Sequence, residues 1–134
     1  MDEPASRVVR WGEGRWPEVP VRRYREDEEG PRVTRRVLID RDDPGLAGEM
    51  RYFEVAPGEA TRFERHEHAH AVVVLAGRGR VRLGDEVVSV APFDLVYVAP
   101  RTPHRFFAAT DSPLGFLCLV DRERDRPEAL DGGD

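Results

Sequence analysis

A chain of 134 residues fits one domain with one sizeable core, and its formal net charge of −5 argues against the basic face that nucleic acid attracts. The longest apolar run, Ala71–Ala76, is far short of the ~20 residues of a spanning helix, so no membrane partner is expected. One cysteine, Cys118, excludes an intrachain disulfide, and the acidic N-terminus shows no apolar leader, so the cytoplasm is the expected location. All 21 basic residues are arginine, which excludes Schiff-base chemistry on a lysine.

Residues 1–44 read as an N-terminal arm followed by the first strands. Trp11 and Trp16 stand among Gly and Pro, and their indoles are expected to pack on the body of the protein or on a partner subunit; a lid over a ligand is the alternative. The charge run from Arg22 to Arg32, closed by Gly30-Pro31, reads as a solvated loop. Strands are expected at Val33–Ile39, Glu49–Val55, Ala71–Leu75, Gly79–Leu83, Glu86–Val90, Leu95–Val98, Arg105–Ala109 and Leu114–Val120. Pro57-Gly58 and Gly84-Asp85 mark tight turns. No segment has helical periodicity, so an all-β sandwich or barrel is predicted. Residues 121–134, charged and ending in Asp-Gly-Gly-Asp, read as a flexible tail.

Three of the four histidines, His66, His68 and His70, fall within five residues; the fourth, His104, follows Pro103. Neutral imidazole is the commonest protein ligand for first-row metals, so the cluster points to a metal. On a straight strand Glu64, His66, His68 and His70 share one face, but 64 and 70 lie ~20 Å apart, too far to share an ion. At most two adjacent members can therefore ligate unless the chain turns between them; a turn between His66 and His70 brings His70 back, and His104 must then arrive from a strand distant in sequence. A turn at His68 points that side chain away from the ion.

At these residues the chain resembles the cupin superfamily. Pro57-Gly58, then Glu64, His66, His70 and Gly77 match the spacing of the family's first motif, and Pro92-Phe93-Asp94 with Pro103-His104 and Phe106 match the second. Glu64 stands where the family has its first histidine and His70 where it has glutamate, so the exchange keeps three histidines and one carboxylate. Phe93 replaces a glycine of the second motif, and Ala108 an asparagine. The resemblance covers roughly residues 45–120 and implies a double-stranded β-helix barrel core there, jelly-roll-like, with Glu64, His66, His70 and His104 holding one divalent transition metal (Fe, Mn, Ni, Zn or Cu). In a second register His68 replaces Glu64.

Such a site implies a small-molecule ligand or substrate, and a dioxygenase-like oxidoreductase is the activity expected. A non-catalytic metal- or ligand-binding module and an isomerase are the alternatives; an isomerase needs a free general base such as histidine, and every histidine but His68 is assigned to the metal, with Tyr52 and Tyr97 left as candidate acids. Cys118, in the apolar run Phe116–Val120, is placed by strand alternation to face either the cavity or the core. The resemblance also implies a homodimer.

Overall fold

The computed structural model describes residues 5–23 and 32–132. Among these there is no helix, and eleven strands follow in chain order: β1 (Arg22–Arg23), β2 (Val33–Ile39), β3 (Gly48–Val55), β4 (Glu64–Arg65), β5 (His70–Gly77), β6 (Gly79–Leu83), β7 (Glu86–Val90), β8 (Leu95–Val98), β9 (His104–Ala108), β10 (Leu114–Asp121) and β11 (Glu128–Ala129). They form two antiparallel sheets, six strands in the order β1-β2-β3-β10-β5-β8 and five in the order β11-β4-β9-β6-β7. The double-stranded β-helix expected from the motifs is the fold. Every long run read from alternation is a strand within one residue at each end, apart from β5, which runs two residues past the expected end.

Three two-residue strands were not expected, because β1, β4 and β11 are mostly charged and too short to show a period. Most of the expected loop at Arg22–Arg32 lies outside the described residues; its first two residues form β1 and pair with Thr34 and Arg35. The segment expected as a flexible tail makes defined pairings in the structure. Glu128 and Ala129 lie against Arg65 and Glu64, and the Leu130 amide donates to the Phe63 carbonyl at 2.9 Å.

The core lies between the sheets. Alternate residues of the long strands face inward: Phe53 and Val55 from β3, Val72 and Val74 from β5, Phe106 from β9, and Leu114, Phe116 and Cys118 from β10. The Phe116 ring stacks on Phe53 at 5.5 Å and on Phe106 at 4.5 Å between centroids, which ties the two sheets together.

The outward side of β3 carries the arm. Gly12 and Arg15 exchange two backbone hydrogen bonds around Glu13 and Gly14, both at positive φ. This turn lays Trp11 and Trp16 edge-on against Tyr52, with centroids 5.8 and 5.2 Å away. The indoles therefore pack on the sheet, and Tyr52, 1% exposed, donates to the Gly14 carbonyl at 3.3 Å. Burial pushes the Tyr52 phenol up to about 12. Tyr97 is opposite Ala71 on the outward side and exposed. Both tyrosines thus point away from the histidines.

Two backbone positions carry strain. Phe93, at φ 74° where the family motif has glycine, occupies a left-handed conformation that a bulky side chain disfavours, and its ring is 82% exposed. Arg101, in the turn before His104, has φ 64°.

Gly115 makes room for Tyr52: a Cβ there would sit 1.9 Å from the phenol oxygen. Gly115→Ala is expected to displace Tyr52 and the arm, at a cost of about 1–3 kcal/mol. A lowered denaturant midpoint at unchanged slope, measured with Gly12→Ala, where a Cβ meets nothing within 4 Å, as a comparison, checks this.

Candidate metal centre

Between β4 and β5 the chain leaves the five-stranded sheet and enters the six-stranded one. The bend at residues 66–69 turns His66 and His70 toward one point, with ring centroids 4.6 Å apart. His104 opens β9 directly opposite Glu64 of β4, which delivers it to the same point from forty residues away. The turn that brings His70 back to His66 is this sheet-to-sheet crossing.

One donor nitrogen from each of His66, His70 and His104 lies within 4.8 Å of the others, and this group could hold a metal ion. Their tautomers are set from behind. His66 Nδ1 donates to the His68 carbonyl at 2.6 Å, and His104 Nδ1 donates to the Thr102 carbonyl at 2.8 Å. Each Nε2 is left with its lone pair facing the cluster. The Nε2 atoms of His66 and His70 are 2.9 Å apart. Two nitrogens bound at right angles to one ion at ~2.1 Å would be ~3.0 Å apart, so the donor set fits a metal. Burial lowers all three basicities, that of His66 to about 4, which keeps the imidazoles neutral and able to ligate.

Glu64 is buried at 6% exposure and lines the inner cavity together with His70, His104 and Cys118. His68 takes a different part. Its ring lies parallel on His66 at 3.7 Å between centroids, and its Nδ1 lies 2.8 Å from the Asp125 carboxylate. That same carboxylate accepts from the backbone amides of Glu67 and His68 at 2.8 and 3.1 Å. The Glu67 amide first, then His68, hold its pKa well below the usual carboxylate range. The strained Arg101 closes the other side: its amide donates to the His66 carbonyl at 2.7 Å and its guanidinium to Glu67 at 2.6 Å.

Cys118 faces the cavity. Its sulfur lies 2.9 Å from His70 Nδ1 and 3.8 Å from Arg51 Nη2. Burial pushes the thiol up in pKa, against the lowering effect of Arg51. The inner cavity, about 30 Å³, has apolar walls of Phe53, Val72, Phe106 and Phe116. Asp125 and Arg51 were not singled out in the sequence. Asp125 sits in a charged run without a period, and Arg51 is one of 21 arginines, so its inward direction shows only once the register of β3 is known.

Comparison with known proteins agrees with this geometry. Residues 51–120 match the family described as Cupin domain. The chain belongs to the cupin family. It is 48% identical over 116 residues to 1-methylthio-D-xylulose 5-phosphate methylsulfurylase of Rhodospirillum rubrum, covering 85% of this chain and 73% of that one. A crystal structure of a cupin-2 domain protein from the same organism superposes with a TM-score of 0.78 at 44% identity, covering 99% and 86% of the two chains. A cupin 2 conserved barrel domain protein from Rhodopseudomonas palustris superposes with a TM-score of 0.83 at 41% identity, covering 96% and 89%. No helix among the described residues of this cupin is long and apolar enough to cross a membrane.

Two outcomes follow for the metal-free protein. His66 is depressed in the fold, to about 4 from its ordinary 6.5, so below pH 6.5 the unfolded chain takes up protons that the folded one does not. Stability is therefore full above pH 6.5 and falls as the pH drops toward 4, which thermal melts of chelator-treated protein across that range would show. Separately, Asp125→Ala frees the 66–68 bend, and a titration with Co(II) should show affinity reduced about 10–100-fold.

Proposed function

We propose that this cupin is a metal-dependent enzyme that transfers the methylsulfur group of a small phosphorylated ketose, as the name of its Rhodospirillum rubrum relative describes for that protein. The observation that carries this reading is a thiol inside the histidine cavity: Cys118 Sγ, 2.9 Å from His70 Nδ1. His66, His70 and His104, with Glu64 as fourth ligand, would hold one divalent transition ion (Fe, Mn, Ni, Zn or Cu). Bound there, the ion supplies Lewis acidity at a substrate carbonyl.

The chain's own residues supply the rest. With Nε2 of His70 committed to the ion, its Nδ1–H donates to Cys118 and favours the thiolate, the nucleophilic form. The Cys118 sulfur attacks the methylthio sulfur. The carbon–sulfur bond breaks, an S–S bond forms, and the electron pair passes to the carbon next to the carbonyl as an enolate. That carbon then takes a proton, so it is reduced while the two sulfurs are oxidised to a mixed disulfide. A free small-molecule thiol releases the methylsulfur group by thiol–disulfide exchange and restores Cys118. A thiol used in this way suits the reducing cytoplasm. Phe53, Phe106 and Phe116 keep water from the enolate.

A dioxygenase-like oxidoreductase is the second reading. Three neutral imidazoles and a carboxylate leave an octahedral ion two positions for a chelating substrate and oxygen, and that chemistry does not need the thiol. The homodimer belongs to the proposal as well. It is supported by the strained, exposed Phe93 beside exposed Leu95 and Tyr97 on the edge strand β8; a species of 15.2 kDa alone in sedimentation would argue against it.

Cys118→Ser separates the two activities. With 1-methylthio-D-xylulose 5-phosphate, added Mn(II) or Fe(II) and a free thiol, the variant should lose at least about 10³-fold in turnover while its metal content stays at the parent level. Undiminished turnover would exclude the thiol mechanism, and substrate-dependent oxygen uptake that survives in the variant would favour the dioxygenase.

A further inference from the structure

Charge is unevenly placed in this acidic chain. A cavity of about 480 Å³ beside the histidines is walled by Arg35, Arg41, Arg51, Arg122, Arg124 and Arg126, against the acids Glu64, Glu123 and Asp125. The acids are engaged. Glu123 lies 3.6 Å from Arg41, Asp125 is held by Glu67 and His68, and Glu64 sits among the histidines. Arg124 is bonded to Glu49 at 2.8 Å, which removes one cation from the balance.

Arg51 is different. It is 5% exposed, and its Nε is buried without a hydrogen-bond partner among the described residues. Its guanidinium lies over the Phe53 ring at 4.9 Å and reaches the Cys118 sulfur at 3.8 Å, and among the described residues no carboxylate pairs with it. The Nε of Arg122, on the same cavity, is also buried and unpartnered. Arg36 has a similar Nε, but it stands opposite Tyr52 on the outward side. A buried guanidinium with open donors is costly unless an anion completes it.

The strand register sets the line along which a ligand can lie. On the inward face Cys118 of β10 is opposite Arg51 of β3, and Arg51 is the diagonal neighbour of Arg35, which is opposite Phe53 on β2. His70, Cys118, Arg51 and Arg35 thus form a row across four adjacent strands, β5, β10, β3 and β2. At ~4.8 Å per strand and ~3.3 Å per residue of offset, Arg51, two strands and two residues from His70, stands about 12 Å of backbone away, and Arg35, three strands and four residues away, about 20 Å.

We propose that Arg51 and Arg35 form a subsite for the phosphate dianion of a small phosphomonoester whose other end lies at the histidines. The guanidinium fork matches phosphate oxygens two at a time, which an ammonium cannot do. For the identity of the ligand this rests on the methylsulfur-transfer reading; the existence of the anion subsite does not.

Calorimetry on metal-loaded Cys118→Ala protein tests it, since no turnover intervenes there. Ribulose 5-phosphate should bind at least about tenfold more tightly than ribulose. Arg51→Gln and Arg35→Gln should each abolish that preference while leaving metal content and ribulose affinity unchanged. Arg35→Gln, at a less buried position, keeps the test valid should Arg51→Gln fail to fold. Equal affinity for the two sugars, or a preference that survives Arg35→Gln and any folded Arg51→Gln, overturns the subsite. The two readings fail separately. A phosphate preference lost in the variants, without methylsulfur turnover in the parent, supports the subsite and overturns the activity. Turnover with no phosphate preference does the reverse.

Discussion

The structure depends on one crossing. Between Glu64 and His70 the backbone must pass from one sheet to the other, and a straight strand there would hold these residues ~20 Å apart. The bend is held from three sides: by His66 to the His68 carbonyl, by the Arg101 amide to the His66 carbonyl, and by the Asp125 carboxylate to two amides. Without it, His66 and His70 could not face one another and His104 would arrive opposite Glu64 with nothing to meet. The metal-competent group is thus a product of backbone hydrogen bonds more than of the histidines themselves.

Much of this was legible in the residues. Strands such as Gly79–Leu83 and Leu95–Val98 alternate because one side is packed and the other wet, and they could be read to the residue; Glu86–Val90, exposed at all but its last residue, was bounded instead by the Gly84-Asp85 turn. Strand rise allowed His66 and His70 to share an ion only if the chain bends between them, and the motif spacing pointed to that pair. What was not legible depends on pairing over distance. Two-residue strands such as Glu64–Arg65 and Glu128–Ala129 have no period and exist only through their partners, the first between Glu128–Ala129 and His104, the second against the first. The inward direction of Arg51 and the reach of Asp125 to the bend are likewise set by register and by a returning segment, neither of which leaves a local mark.

The departures from the family pattern differ in kind. The Glu64 and His70 exchange leaves both side chains on the inner cavity, while the group that could hold a metal is His66, His70 and His104. The Phe93 departure leaves the backbone in the conformation that glycine accommodates and puts a large ring there in solvent. A residue that is strained and exposed has no reason to be there from packing within its own chain.

The arm at Trp11–Trp16 has a practical consequence. Both of the chain's indoles touch the one side chain, Tyr52, and sit on the outward face of β3, while the histidines and Cys118 lie on the inward side. Intrinsic tryptophan emission is therefore a local optical reporter of the arm's docking. It responds to detachment of one short turn and is insulated by a sheet from events at the metal centre, so an unchanged spectrum says nothing about whether that centre is filled.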